Sequence, residues 1–285
     1  MSSIRIAVPQ YNPTLLALAE REPGLARWAP MRGVDTVAAL VAGEIDFTGT
    51  GATPPLAALA AGADVVHVAA SAPRPGHAAL LVRDGSPIAS VAELRGRTVG
   101  LAVGSYHDAL LAAALERAGV PAGAVTVVHA SGRAGHEAFA AGAIDAWIAA
   151  DAYLVETERR IPVRRLAETG ELLSNRVVWF ATRRFVEEEP GALAHLLARA
   201  DATERWIAAA PRAAAELIGR VLGAGEGAHL RDAWEVALRR RAWGLEPISD
   251  AVLVEQQAVA DLLHRRGLLP APVVVAPVLS TSTPR

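Results

Sequence analysis

The chain has 285 residues, 52% hydrophobic and 20% charged, with 28 Lys+Arg against 30 Asp+Glu and a net charge of −2. So much apolar surface excludes a disordered chain, and the length suits two domains or one large α/β unit. The balanced charge excludes nucleic acid as the main partner, which would require a concentrated positive field. With no cysteine there is no disulfide, no thiolate nucleophile and no cysteine-ligated zinc or iron–sulfur site.

Strand and helix patterns alternate along the chain. Ile4–Val8 reads as a strand running into the turn cluster Pro9-Gln10-Tyr11-Asn12-Pro13, and Thr14–Glu22 carries leucines at helical spacing. Arg27–Pro30 reads as a short strand, Asp35–Gly43 as a helix and Glu44–Phe47 as a strand. Thr48-Gly49-Thr50-Gly51 then reads as a tight loop before an Ala/Leu helix, and Asp64–Ala70 as a buried strand. A second series follows: strands at His77–Arg83, Thr98–Val103, Val125–Val128 and Ile144–Ala149, with helices at Tyr106–Ala118 and Gly135–Ala141. Ser90-x-x-Glu93 has the spacing of a capping box. After a strand at Arg176–Ala181 the pattern is helical, over Glu188–Ala209, Pro211–Val221, His229–Arg240 and Asp250–Arg266. No apolar run is long enough to span a membrane, so no membrane insertion is expected. Met1–Gln10 lacks the layout of an export signal, which predicts a cytoplasmic protein as written, or an extracytoplasmic one if the chain is a trimmed mature form.

Ligands of open α/β sheets bind beyond the carboxyl ends of the strands. That rule selects Gln10, Tyr11, Asn12, Thr48, Thr50, Gly51, Arg74, His77, Gly104, Ser105, Tyr106, His107, Asp151 and Tyr153 as candidate contacts. All three tyrosines fall in this set, and an amphipathic ring suits a cleft wall. Thr50-Gly51 and Gly104-Ser105 each precede a helix, whose free N–H groups suit an anion. Arg74, between two prolines, is a candidate ion-pair partner for an acidic ligand. His77, His107 and Asp151 are the groups available for acid–base work if there is turnover. The eight histidines show no metal-ligand spacing, so neither a metal nor an organic cofactor is expected. Arg239-Arg240-Arg241 reads as a solvated basic run complementing a helix end.

Gly43-Glu44-Ile45-Asp46-Phe47-x-x-Thr50-Gly51-x-x-Pro54-Pro55 opens a series of ordered motifs. It continues through Leu81-Val82-x-x-x-Ser86-Pro87-Ile88, Val99-Gly100-x-x-x-Gly104-Ser105 and Ala138-Phe139-x-x-Gly142-x-Ile144-Asp145-Ala146-Trp147 to Gln256-Gln257-x-x-x-Asp261-Leu262. Over nearly its whole length the chain resembles the aliphatic sulfonate-, nitrate- and taurine-type solute-binding proteins of ABC importers. The resemblance implies an α/β, two-lobed periplasmic-binding-protein-like fold of type II with the ligand cleft between lobes. Residues 1–79 plus 180–270 would form lobe 1, residues 80–179 lobe 2, and 271–285 an irregular C-terminal tail, with crossings near His77–Leu81 and Trp179–Ala181. It further implies a monomer that binds a small anionic or polar organic molecule, sulfonate-like or an aromatic acid, and delivers it to an ABC permease without turnover. The alternative is a cofactor-independent lyase, desulfinase-like or dehydratase-like, because the scaffold also serves an aromatic sulfinate desulfinase, a chorismate dehydratase and a thiamin pyrimidine synthase. The desulfinase's cysteine is absent here, and Thr48 stands where its arginine would be.

Overall fold

The computed structural model describes residues 4–226 and 230–275. In chain order, β1 (Arg5–Pro9), α1 (Pro13–Arg21), β2 (Arg27–Met31), α2 (Thr36–Val41), β3 (Phe47–Thr50), α3 (Thr53–Ala60) and β4 (Val65–Ser71) come first. Next are β5 (Ala78–Arg83), β6 (Thr98–Leu101), α4 (Tyr106–Arg117), β7 (Thr126–His129), α5 (Gly132–Ala140), β8 (Ala146–Ala150), α6 (Asp151–Arg160), β9 (Val163–Glu168) and α7 (Thr169–Leu172). The chain ends with β10 (Val178–Thr182), α8 (Arg183–Glu188), α9 (Pro190–Ala209), α10 (Pro211–Glu226), α11 (Arg231–Arg239), β11 (Leu245–Glu246) and α12 (Asp250–Arg265). No helix among the described residues is long and apolar enough to cross a membrane.

The contacts divide the chain into two units. The first comprises residues 1–72, 176–203 and 244–285; the second, 73–175 and 204–243. The first is built on a six-stranded sheet of order β11-β4-β10-β3-β1-β2, in which β10 runs antiparallel to β3 and β4. The second carries a five-stranded sheet of order β7-β6-β8-β5-β9, with β6 parallel to β7 and β8, and β5 antiparallel to β8 and β9. Leu80, Val82, Val99, Leu101, Ile148 and the inward leucines of α4 close the core of the second unit.

Several boundaries differ from the sequence reading for local reasons. The strand expected at Glu44–Phe47 lies at Phe47–Thr50 instead, so Thr48, Gly49 and Thr50 are strand residues, not a loop. The exit of α2 takes up the intervening residues: Gly43 is left-handed (φ 67°), and Glu44 N–H donates to Ala39 while Gly43 N–H donates to Leu40. This paired arrangement is the Schellman motif. The Arg5 guanidinium then fixes Asp46, with Nε donating at 2.9 Å. The helix expected at Glu188–Ala209 starts at Pro190, which suits a first helical position because it has no N–H to donate, and Glu188 ends α8 instead. The Ser90 N–H donates to Glu93 at 3.0 Å, and Val91–Leu94 forms a 3-10 turn.

The expected division into lobes is also revised. Residues 204–243 join the second unit because α11 packs on α6 and α10, burying Trp234, Leu230 and Leu238. The chain therefore passes between units four times, near residues 72, 175, 203 and 243, in place of the two expected crossings. β9 and α6 had no clear signal; β9 reads Val-Arg-Arg-Leu-Ala-Glu, with its charged residues on the half-covered sheet edge. The expected helix at His229–Arg240 is seen from Arg231, and His229 lies outside the described residues, as does 276–285 of the expected tail.

Candidate functional site

In the second unit, β8 ends where β5 begins, because the two strands are antiparallel with Ala150 opposite Ala78. That register sets Asp151 beside His77, and the Asp151 N–H donates to the His77 carbonyl at 3.0 Å. Asp151 then turns into α6 with φ 48°, a left-handed conformation that Asp tolerates better than most residues. Its Oδ1 lies 2.9 Å from His77 Nδ1 but outside hydrogen-bonding alignment, and 3.8 Å from Arg241 Nη1.

Arg74 forms the centre of the cluster. Its Nε donates to the Asn175 carbonyl at 2.7 Å, its Nη2 to Asn175 Oδ1 at 3.2 Å, and its Nη1 to His77 Nε2 at 3.2 Å. A guanidinium can only donate, so Nε2 is the unprotonated ring nitrogen and the proton sits on Nδ1, facing Asp151. Burial, aided by Arg74, pushes the His77 pKa down to about 4, so the ring is neutral near pH 7. Asn175 holds φ 45°; it and Asp151 are the two non-glycine residues with positive φ among the described residues, and both serve this cluster. Strain of that kind persists only where the surroundings enforce it.

Tyr106 packs against this group, with its ring 5.2 Å from His77 and the Arg74 guanidinium 5.7 Å above it. His107 meets Tyr106 edge-on at 4.6 Å, and its Nδ1 accepts from the Ala102 N–H at 3.2 Å. Burial and His77 push the His107 pKa down to about 3. Burial alone would raise the Asp151 carboxyl; His77 and the two arginines more than reverse it and hold it below the usual carboxylate range. Burial and the like charge of Arg241 push Arg74 down to about 10, so it remains charged at neutral pH. Among the described residues, several buried polar atoms here have no hydrogen-bond partner: Tyr106 Oη, Asn175 Nδ2, and Nε and Nη1 of Arg241. Such atoms are costly unless something else satisfies them.

Five sequence-selected residues, Arg74, His77, Tyr106, His107 and Asp151, thus come together. Tyr153 does not join them. Two positions along α6 from Asp151, it points away and packs against His136 at 6.2 Å. Gly104 and Ser105 precede α4, but the chain itself already uses this helix end. The Gly104 N–H donates to Asp108 Oδ2 at 2.6 Å, Ser105 Oγ donates to the Ala102 carbonyl at 2.6 Å, and the His107 N–H donates to Ser105 Oγ at 3.2 Å. Ser105→Ala is accordingly expected to remove an N-cap, costing about 1 kcal/mol, and to leave anion affinity within twofold, as paired urea melts and titrations would read.

In the first unit, the polar atoms of the candidate residues are largely engaged. Asn12 caps α1, its Oδ1 accepting from the Leu15 N–H at 3.0 Å and its Nδ2 donating to the Gly49 carbonyl at 2.8 Å. Thr48 Oγ1 donates to the Ala7 carbonyl at 3.2 Å, and Thr50 Oγ1 to the Gly51 carbonyl at 2.9 Å. Gly49 is compelled by packing, since a Cβ there would sit 2.8 Å from the Trp179 ring. α3 opens Thr53-Pro54-Pro55, so two amides expected to face an anion are missing. Gln10 is exposed and Tyr11 half-buried.

Sequence reading missed Arg241 and Asn175. Arg241 is not on a solvated face: its side chain is 4% exposed, with the guanidinium 4.4 Å above the Trp243 ring. Among the described residues no group of three or more His, Asp or Glu is placed to hold a metal.

Two sheets of this topology, with a charged cluster buried at the strand ends of the second, define a mixed α/β fold of the periplasmic-binding type. The chain belongs to the NMT1/THI5-like family, whose model matches residues 27–214. It is 29% identical over 243 residues to a protein of Escherichia coli (strain K12) described as an aliphatic sulfonates-binding protein, covering 85% of this chain and 74% of the relative. The structure of the periplasmic aliphatic sulphonate binding protein SsuA from Escherichia coli superposes with a TM-score of 0.83 at 25% identity, over 100% of this chain and 96% of that one. The alkanesulfonate-binding protein SsuA from Xanthomonas axonopodis pv. citri, bound to MOPS, gives 0.83 at 26% identity over 96% of each chain.

Proposed function

We propose that this chain is the solute-binding component of an ABC importer and captures a small organic anion, foremost an aliphatic sulfonate, without converting it. It acts outside the cytoplasm and hands its ligand to a membrane permease, as the periplasmic relatives support. The observation that carries the reading is the Arg74 guanidinium: buried, charged at neutral pH, and fixed by Asn175 and His77 through three of its five N–H donors. Two donors remain for a ligand, on a group that loses little freedom when it binds. The neutral His77 does not compete for the anion; it orients the guanidinium, and Asp151 in turn faces the protonated ring nitrogen. Tyr106 supplies an apolar wall and a hydroxyl.

Calorimetric titration tests this directly, using propane-1-sulfonate and its longer homologues, the matching carboxylates and inorganic sulfate. Alkanesulfonates are expected to bind one to one with dissociation constants on the order of micromolar or tighter, and mass spectrometry should recover them unchanged. No sulfonate binding, or a stoichiometric conversion of the bound sulfonate, would overturn the reading.

A further inference from the structure

We propose that Arg241 is the second arm of the anion site and sets its preference for a head group with three oxygens over one with two. This rests on the reading of the chain as an organic-anion binder, and it concerns a residue beyond the segment that the family model matches. The Arg241 side chain is almost wholly buried, yet its Nε and Nη1 hydrogen-bond to nothing among the described residues. Its closest carboxylate oxygen, on Asp151, stands 3.8 Å away, too far for a hydrogen bond. The guanidinium carbon lies 4.4 Å above the Trp243 ring, a cation–π contact that uses none of its N–H donors.

Arg241 brings a second positive charge into the buried cluster with donors that the cluster does not use. Arg74 and Arg241 repel each other in a buried setting, against the carboxylates of Asp151 and Glu204. A buried charge whose donors are unmet is ordinarily removed or paired. An anion lying between the two guanidinium groups satisfies both. The donor inventory then selects the head group. The remaining Arg74 donors, Arg241 Nε and Nη1, Asn175 Nδ2 and Tyr106 Oη together outnumber the roughly four lone-pair sites of a carboxylate. A sulfonate, with a third oxygen, uses donors that a carboxylate leaves unmet, and the unmet ones are penalised.

The test compares propane-1-sulfonate with butanoate, which share an alkyl chain, on the wild-type protein and on Arg241→Met and Arg241→Lys. Arg241→Met is expected to weaken sulfonate binding by roughly 10- to 100-fold and butanoate by a several-fold smaller factor, because both anions lose the field of the second guanidinium and the sulfonate alone loses the contact to its third oxygen. Arg241→Lys keeps the charge without the fork and should lose roughly three- to tenfold on the sulfonate. The ligand-free Met variant should keep a cooperative melt at a somewhat lower temperature, since Asp151 loses a counter-charge 3.8 Å away and retains those of Arg74 and the rest of the cluster. An equal loss for both anions or an unchanged sulfonate affinity, on a variant with a cooperative melt, would overturn the proposal. If the wild type binds neither anion, the function proposed above fails as well; if it prefers sulfonate and Arg241→Met retains that preference, only the role of Arg241 fails.

Discussion

Exchanging Arg74 for lysine is expected to lower affinity for an organic anion by roughly 100-fold or more while the protein still folds. The guanidinium makes three hydrogen bonds within the cluster, to the Asn175 carbonyl, to Asn175 Oδ1 and to His77 Nε2. It keeps two N–H groups in one rigid plane. An ammonium has three donors and no plane, so it cannot serve Asn175, His77 and a ligand together. Two charge-assisted hydrogen bonds to the ligand, at about 1.5–3 kcal/mol each, set the scale of the loss. Leaving the buried Asn175 carbonyl without its donor adds a stability cost of about 1–3 kcal/mol, which a urea melt of the ligand-free protein would read separately. Burial beside Arg241 also presses the lysine to give up its proton, deepening the affinity loss at higher pH. An affinity within threefold of wild type, measured by calorimetry on a variant with a cooperative melt, would rule out Arg74 as the anchor.

What was legible in the sequence follows from what is local. Alternating strand and helix patterns located both sheets, and the strand-end rule brought out five residues of one cluster. It could do so because β6 and β8 are parallel and deliver Ala102–His107 and Asp151 to the same sheet end. The misses are long-range. Gly49 looks like part of a Thr-Gly-Thr-Gly loop until Trp179, distant in sequence, is seen pressing on its Cα. Arg241 is the third of three arginines in a row. Arg239 pairs with Glu235 and Arg240 with Glu158 on the surface, while Arg241 follows the last helical turn, where periodicity no longer says which way a side chain faces. Trp243, two residues on in a chain only 5% aromatic, was the available signal. Asn175 gave even less: its value lies in a left-handed backbone and a carbonyl aimed at Arg74, neither of which its residue type announces. The expected anion clamp at two helix ends failed on similar grounds. Asp108, in the first turn of α4, folds back onto Gly104, and Pro54 and Pro55 remove two amides of α3.

The protein is expected to lose stability steeply as pH falls from about 6.5 to about 4.5. His67 in β4, and His77 and His107 in the cluster, are all held neutral by burial, with pKa values pushed down to about 4, about 4 and about 3. In the unfolded chain each would titrate near 6.5, so between the folded and unfolded values the unfolded state binds more protons and acid favours unfolding. Asp108 works the other way. Burial raises its pKa to about 6 against the opposing Gly104 and Ser105 amides, so below that pH the folded state holds a proton that the unfolded state does not. Asp151, held low, adds to acid lability only below the ordinary carboxylate range. Near pH 5 three histidine protons favour the unfolded chain and one carboxyl proton favours the native one, a difference of about two. At about 1.36 kcal/mol per proton and pH unit, stability should fall by about 2.7 kcal/mol per unit at its steepest. Against a typical total of about 5–15 kcal/mol, that is enough to bring the protein close to unfolding near pH 4.5. Urea midpoints at pH 7 and pH 5 would read the effect. His67→Leu removes a titrating group outside the cluster and should halve the slope, to about 1.4 kcal/mol per unit. A midpoint that does not move between pH 7 and pH 5 would mean that these rings are protonated in the folded protein. Arg74 would then lose its acceptor on His77, and the orientation of the guanidinium would need another source.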